Sequence, residues 1–383
     1  MFEKLQQAVM SVAEINPGEE KVALGFIEEA EPWVLRSKYF PSKVGGQPAW
    51  LALDNLPTHN QLSCQVCSDP LTFLCQLYLP DSRHDYSFHR TIFLFVCHNG
   101  GCCIPNTSKG IKAFRCQLPR RNPYYSYEPP VEEEATSASP SAADYGSVCC
   151  ICAARADKVC SQCHRTSYCS KSHQSLHWKL GHKHECKKLA AGPGPSSVCA
   201  ARTSLLFPEA EIILEPQENA SESDDDDAEL TEDQIRERLA QFSDAQIVAG
   251  AHDDPYSIDT LENVATADAD PVFTAFKEQM DKHPEQVIRY HRGGAPLFCA
   301  QQPKPVRGKR HNCPHCSRPR TFEFQVMPQM LDHLKLDVVE GPSLDWGVLL
   351  VFTCNCDVKF GYVEELVFKQ DYAECQEKAP SQQ

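Results

Sequence analysis

Twenty-one cysteines in 383 residues, many of them in close pairs, restrict this chain more than any other feature it has. The pairs are Cys64/Cys67, Cys149/Cys152, Cys160/Cys163, Cys313/Cys316 and Cys354/Cys356. The total is odd. The N-terminus mixes Glu3, Lys4, Gln6, Gln7 and Glu14 among its apolar residues, which gives it no secretory h-region. In a reducing compartment such thiols are available to metal and do not form a disulfide framework. The expected setting is therefore cytoplasmic and nuclear, and the expected cofactor is zinc.

Charge narrows the partners. Lysine plus arginine is 37 against 52 aspartate plus glutamate, a net charge of −15, which argues against direct nucleic-acid binding or an anionic membrane surface. No apolar stretch approaches the ~18 residues of a membrane span; the best are Trp346–Cys354 and Thr91–Cys97. The negative charge is concentrated. Between Glu209 and Ile235 there are 12 acidic residues and no basic one, including the run Asp224–Asp227. Like-charge repulsion at this density predicts a disordered, solvated linker over roughly 190–260. The rest of the chain is near neutral, with basic patches at 149–188 and 303–320. These patches leave an RNA-binding zinc protein as a weaker alternative.

A repeat organises the remainder. Gly45-Gly46-Gln47-Pro48-Ala49-Trp50 matches Gly293-Gly294-Ala295-Pro296-Leu297-Phe298, with thirteen residues following before Cys64 and fourteen before Cys313. CQVCSDPLTFLCQLYLP then matches CPHCSRPRTFEFQVMP, and the apolar runs IFLFVC at 92–97 and LLVFTC at 349–354 close each copy. Short strands are predicted at Val22–Phe26, Trp33–Leu35, Leu71–Leu79 and Thr91–Cys97, and a helix at Val272–Asp281. Repeated units stack to bury a shared face. The expected fold is mostly β with small α content: a pseudo-symmetric duplicated β-rich body plus a zinc-stabilised finger and a disordered acidic linker. Its segments are a leader at 1–20, a first half at 22–127, a linker at 128–147, a Cys/His segment at 149–188, the acidic linker at 190–260 and a second half at 265–375. The Cys/His segment and the acidic chain then read as insertions between the halves.

Cys149, Cys152, Cys160, Cys163, Cys169, His173, His182 and Cys186 give eight ligands, enough for two tetrahedral zincs. His173 lies four residues after Cys169, and Cys186 four after His182, so each pair can share a helical face. The segment VCCICAARADKVCSQCHRTSYCSKSHQSLHWKLGHKHEC resembles a MYND zinc finger. The resemblance implies a cross-brace, with Cys149, Cys152, Cys169 and His173 on one zinc and Cys160, Cys163, His182 and Cys186 on the other. It departs at His173, where the family most often has cysteine. It also implies a groove for proline-containing peptides at Gln174 and Trp178, although Trp178 could instead pack the small zinc core. In the outer halves, Cys313, Cys316, Cys354 and Cys356 have zinc-ribbon logic. Cys64, Cys67 and Cys97 are their counterparts, with Cys102 or Cys103 as fourth ligand. Cysteines 75, 116, 150, 199, 299 and 375 have no obvious partners. Closed tetrahedral sites leave no position for water, and no H-E-x-x-H, P-loop, G-x-S-x-G or G-x-G-x-x-G unit is present, so no enzymatic activity is expected.

The whole arrangement resembles the programmed cell death protein 2 family: duplicated GGxPx(W/F)…CxxC halves, a MYND insert and an acidic linker. VALGFIEEA at 22–30, KVGGQPAWL at 43–51, FHRTIFLFVC at 88–97, TFEFQVMPQ at 321–329 and DWGVLLVFTC at 345–354 carry the likeness. The resemblance implies a β-rich body without enzymatic activity. It also implies a dedicated chaperone for a small-subunit ribosomal protein of the universal S-five type (S-two in eukaryotic naming), supporting small-subunit biogenesis. A basic client of that kind would be neutralised by a mobile acidic chain while a folded surface holds its apolar part. Ser221 and Ser223, just before the acidic run, match what acidophilic kinases prefer. The rival reading is a MYND-dependent transcriptional or chromatin adaptor.

Overall fold

The computed structural model describes residues 22–130, 139–191, 202, 205–217, 270–305, 311–336, 342–359 and 361–372. The leader at 1–20, Cys199, Ser221, Ser223, the run Asp224–Asp227 and Cys375 lie outside the described residues. Twelve strands follow in chain order: β1 Ala23–Glu28, β2 Lys43–Val44, β3 Thr72–Tyr78, β4 His89–Val96, β5 Ile111–Leu118, β6 Lys158–Val159, β7 Ser167–Tyr168, β8 Ala210–Pro216, β9 Ile288–Tyr290, β10 Thr321–Val326, β11 Val348–Thr353 and β12 Tyr362–Gln370. Among the described residues four α-helices accompany them: α1 Lys171–His177, α2 Lys183–Ala191, α3 Pro271–Lys282 and α4 Met330–His333. No helix among the described residues is long and apolar enough to cross a membrane.

Ten strands close one antiparallel barrel in the order β1-β8-β2-β3-β4-β5-β12-β11-β10-β9, with β9 returning to β1. The duplicated units are β2-β3-β4-β5 and β9-β10-β11-β12. They meet directly at one seam, where β5 pairs with β12 through Cys116↔Tyr362 and Ala113↔Glu365. The opposite gap is filled by β1 and β8, which pair with each other. These two strands have crossed over: β1 pairs with β9 of the second half, and β8 pairs with β2 of the first. The copies agree in detail. A bulge interrupts β3 between Phe73 and Cys75 and β10 between Phe322 and Phe324. Gln76 exchanges hydrogen bonds with the backbone of Ala49, and Gln325 does the same with Leu297.

Three expectations change. The span 190–260 is not linker throughout, because residues 210–216 form β8. Its sequence AEIILEP turns Ala210, Ile212 and Leu214 inward with period two, a pattern that the surrounding carboxylates disguise. The second repeat thus begins at β8, and the acidic stretch lies inside that repeat and not between the halves. Trp33–Leu35 is a turn and not a strand: Pro32 supplies the pre-set φ of a turn that Val34 N closes onto Glu31 O at 3.0 Å. The linker at 128–147 is anchored at its C-terminal end, where Ala142 is buried and the Tyr145 ring meets Tyr124 edge-on at 5.2 Å.

Both faces of the barrel wall are covered, which explains the nearly continuous apolar strands. On β4, Ile92, Leu94 and Val96 enter the interior, while Phe93 and Phe95 face outward against Trp50. The finger continues that outer cover. Ile151 is wholly buried there, Gln47 Nε2 donates to Ile151 O at 2.6 Å, and Trp50 Nε1 donates to Ala153 O at 2.7 Å. On the second half the same face is covered by α3 through Phe276 and Met280. That helix starts at Asp270, which caps Val272 N at 2.9 Å ahead of Pro271 in the first turn.

Candidate metal centres

Four Cys/His clusters come together, each with ligand atoms within 4.8 Å of one another: Cys64/Cys67/Cys97/Cys102, Cys149/Cys152/Cys169/His173, Cys160/Cys163/His182/Cys186 and Cys313/Cys316/Cys354/Cys356. Each starts from the same local turn. The amides of Ser68, Ala153, His164 and Ser317 reach back to the carbonyls of Cys64, Cys149, Cys160 and Cys313 at 3.0, 2.9, 2.9 and 2.8 Å. All four donors have positive φ, between 52° and 66°. That left-handed residue folds the chain so that two thiols point to one spot. The remaining ligands come from strand ends or helices. Cys97 directly follows β4, and Cys354 directly follows β11. In the finger, Ser170 caps α1 by accepting from His173 N at 3.1 Å, which fixes His173 one turn after Cys169.

The spacing fits tetrahedral zinc. With Zn–S near 2.3 Å and Zn–N near 2.05 Å, a tetrahedron has S···S edges of about 3.8 Å and S···N edges of about 3.6 Å. Observed sulfur pairs are Cys67–Cys97 at 3.7 Å, Cys152–Cys169 at 3.6 Å, Cys160–Cys186 at 3.7 Å and Cys313–Cys356 at 3.7 Å, with Cys316–Cys354 closer at 3.3 Å. His173 Nδ1 lies 3.5 Å from Cys149 Sγ and 3.2 Å from Cys169 Sγ, while His182 Nε2 lies 3.6 Å from Cys163 Sγ. His173 thus stands where another sulfur would, and leaves that centre with one less negative charge. Cys102 joins the first-half cluster. Cys103 Sγ instead donates to Asp345 O at 2.8 Å.

Crowding of the thiols shows why a cation belongs there. Hydrogen bonds from Cys150, Cys152 and Cys169 pull Cys149 far below the ordinary thiol range, and Cys149 and Cys169 push Cys152 well above it. Cys316 is resisted by burial, yet hydrogen bonds from Arg318 and its sulfur neighbours bring it to about 6. Four sulfurs this close ionise together only around a metal. All four ligand positions of each centre are protein atoms. Such a centre holds structure and activates no water.

The finger's first centre lies against the barrel and its second lies outboard, with Tyr168 and Leu189. The bridge Trp178–His182 leaves Trp178 36% exposed and Leu180 40% exposed, with the Trp178 ring 5.9 Å from that of His182. Gln174 is half-buried on α1. Cys75, Cys116 and Cys299 are buried, and Cys150 Sγ lies 3.6 Å from His177 Nδ1. Four buried charges were not singled out from sequence: Arg90, Arg115, Glu323 and Glu365 at one end of the barrel interior. Their signal was isolated charge at inward positions of apolar strands, of opposite sign in opposite halves.

Comparison with known proteins agrees with this geometry. Residues 21–132 match the family model described as programmed cell death protein 2, N-terminal domain; residues 270–371 match the C-terminal putative domain of the same family, and 149–186 match the MYND finger. The chain is 42% identical to programmed cell death protein 2 of Mus musculus over 357 residues, covering 91% of this chain and 96% of that protein. It is 40% identical to the Bos taurus protein of that name over 356 residues, covering 91% and 96%. A shorter match, 36% over 95 residues, covers 22% of this chain and 23% of the probable 20S rRNA accumulation protein 4 of Schizosaccharomyces pombe. No solved structure matches. With two family models on the barrel halves, a third on the finger between them and full-length relatives at this identity, the chain belongs to the programmed cell death protein 2 family.

Proposed function

We propose that this protein is a non-enzymatic chaperone of ribosome biogenesis, which escorts a small-subunit ribosomal protein of the universal S-five type, in cytoplasm and nucleus. The observation that carries the first step is the likeness to a Schizosaccharomyces pombe protein named for 20S rRNA accumulation. The step to a particular client rests on what the family resemblance implies and on charge. Ribosomal proteins are basic, and the stretch from Glu209 to Ile235 carries 12 acidic residues and no basic one in its sequence, with Glu209 already paired to Lys43. Metal centres closed by four protein ligands support a role without catalysis. Depletion of the protein, followed by sucrose-gradient profiling and immunoblotting for the client, tests the reading. Client and small subunits should fall while large subunits accumulate in excess; unchanged levels overturn it.

Exposure of Trp178 beside Leu180 favours a second reading, a peptide-binding adaptor acting through the finger. Under that reading Trp178→Ala abolishes binding of proline-containing peptides and alters transcription, with subunit ratios unchanged.

A further inference from the structure

The second-half centre draws all four ligands from one repeat, and Arg318 of that repeat hydrogen-bonds Cys316, yet a second cation reaches it from the other half. Arg115, on β5, is wholly buried and reaches across the seam: Nη1 donates to Cys356 O at 3.0 Å, and Nη2 lies 3.4 Å from Cys356 Sγ. Its Nε pairs with Glu365 Oε1 on β12 at 2.6 Å. The same Glu365 oxygen accepts from Cys354 N at 3.2 Å. Its other oxygen pairs with Arg320 Nε at 2.7 Å, and Arg320 Nη1 donates to the carbonyls of His311 and Asn312, just before Cys313, at 3.2 and 3.0 Å. One buried carboxylate thus ties together both ligand-bearing segments and the partner half.

We propose that Arg115 is a positioning residue of the Cys313/Cys316/Cys354/Cys356 centre, so that zinc occupancy there and closure of the β5–β12 seam are one linked equilibrium. Four thiolates around Zn²⁺ leave a net charge of −2, and a guanidinium in contact with one sulfur stabilises that charge in a site shielded from water. Removal of the metal frees the Cys354–Cys356 turn, and Arg115 then loses the sulfur and carbonyl that hold it beside the seam. Among the described residues the first-half centre has no such arginine. Arg115 lies opposite Ile92 and Lys369 lies opposite Leu349, each five residues before the equivalent ligands Cys97 and Cys354. Lys369 is therefore the counterpart of Arg115, but its ammonium is held by both oxygens of Asp371, at 2.6 and 2.7 Å.

The test uses the full zinc-loaded chain. Zinc release to a chromophoric chelator is counted per chain, and hydrogen exchange is followed at residues 113–116 and 362–365. Arg115→Met should release one zinc roughly 10–100-fold faster, the usual effect of removing a partner just outside the ligand shell. Arg115→Lys should recover part of the loss, and the other zincs should keep their rates. Unchanged release, or equal acceleration at every centre, overturns the proposal. Should Arg115→Met fail to fold, ligand variants decide. Cys316→Ser should speed exchange at the seam at least about tenfold while Cys67→Ser leaves it protected; an unaffected seam in Cys316→Ser, or equal loss in both, refutes the linkage.

Discussion

Glu323→Gln should cost about 3 kcal/mol of stability, because it leaves Arg90 buried without a counter-ion. Both side chains are 0% exposed and come from opposite halves of the barrel. Arg90 Nη2 donates to Glu323 Oε2 at 2.6 Å and to Thr353 Oγ1 at 3.1 Å; its Nη1 meets the other carboxylate oxygen, and Arg292 Nε lies 3.8 Å from it. Burial opposes the charge of Glu323, but Arg90 and Arg292 outweigh it and hold the carboxyl near 2 instead of 4.5. At about 1.4 kcal/mol per pH unit, that difference corresponds to about 3 kcal/mol. Breaking a buried pair from one side costs a similar ~3–5 kcal/mol. Guanidinium unfolding of the zinc-loaded protein, read through the buried indoles Trp50 and Trp346, measures the loss. Since the folded pKa lies below the unfolded one, the stabilisation is complete above about pH 4.5 and disappears as pH falls towards about 2. The gap between wild type and Glu323→Gln should therefore narrow over that window, while acid release of zinc affects both alike. Arg90→Met/Glu323→Met should cost much less than its two single variants added together. A Glu323→Gln cost below about 1 kcal/mol, or strict additivity of the pair, would refute the reasoning.

Native mass spectrometry should count four zincs per chain. Cys163→Ser should keep three and lose structure only in the outboard part of the finger and α2, whereas Cys152→Ser should also lower the melting temperature of the barrel, whose outer face that centre covers. Fragments 22–130 and 205–372 should each be insoluble or molten alone and associate when co-expressed, because β1 and β8 each pair across to the other half; two stable monomers with no mutual affinity would contradict the crossed strands. Deleting Glu218–Asp233 should leave the fold intact and reduce the salt dependence of client binding, measured by titration at two ionic strengths; an unchanged salt slope would remove the acidic stretch from the interaction.

Much of the barrel was legible because its code is redundant. β3, β4 and α3 lie within two residues of their expected limits, since apolar runs or a 3.6-residue period mark them without competition. The duplicated knuckles were readable for another reason: metal ligands need fixed spacing and a Cys or His donor at each position. Less legible were the strands whose inward face is charged. On β5, Arg115 and Gln117 break the inward apolar pattern set by Ile111 and Ala113, and only the fold reveals that Glu365 on β12 meets Arg115 there. β8 was hidden by composition, because three of the carboxylates attributed to a solvated chain (Glu209, Glu211 and Glu215) belong to it or border it. One of them, Glu209, neutralises the buried Lys43. The choice between Cys102 and Cys103 depended on a short 3-10 turn, Gly100–Cys102, to which neighbouring thiols in a sequence give no clue.

The position of the acidic stretch inside the second repeat bears on how it acts. A terminal tail would be tethered at one point; this segment joins β8 to α3 and is fixed at both ends. At one end Gln217 N donates to Val22 O at 2.7 Å, and Arg289 Nη1 donates to the Gln217 side chain at 3.2 Å. At the other, Asp270 caps α3 and accepts from Gln301 N at 2.9 Å. In the first repeat the corresponding connection, from β1 to β2, is the short span 29–42. The barrel thus tolerates a long insertion at this place because both flanking strands are already secured by pairing, β8 with β1 and β2, and β9 with β1 and β10. Under the proposed function, charge on a segment joined to the barrel at both ends would raise the local concentration of a cationic client. Selectivity would then have to come from the folded barrel, because screened electrostatics attract any basic chain and distinguish none.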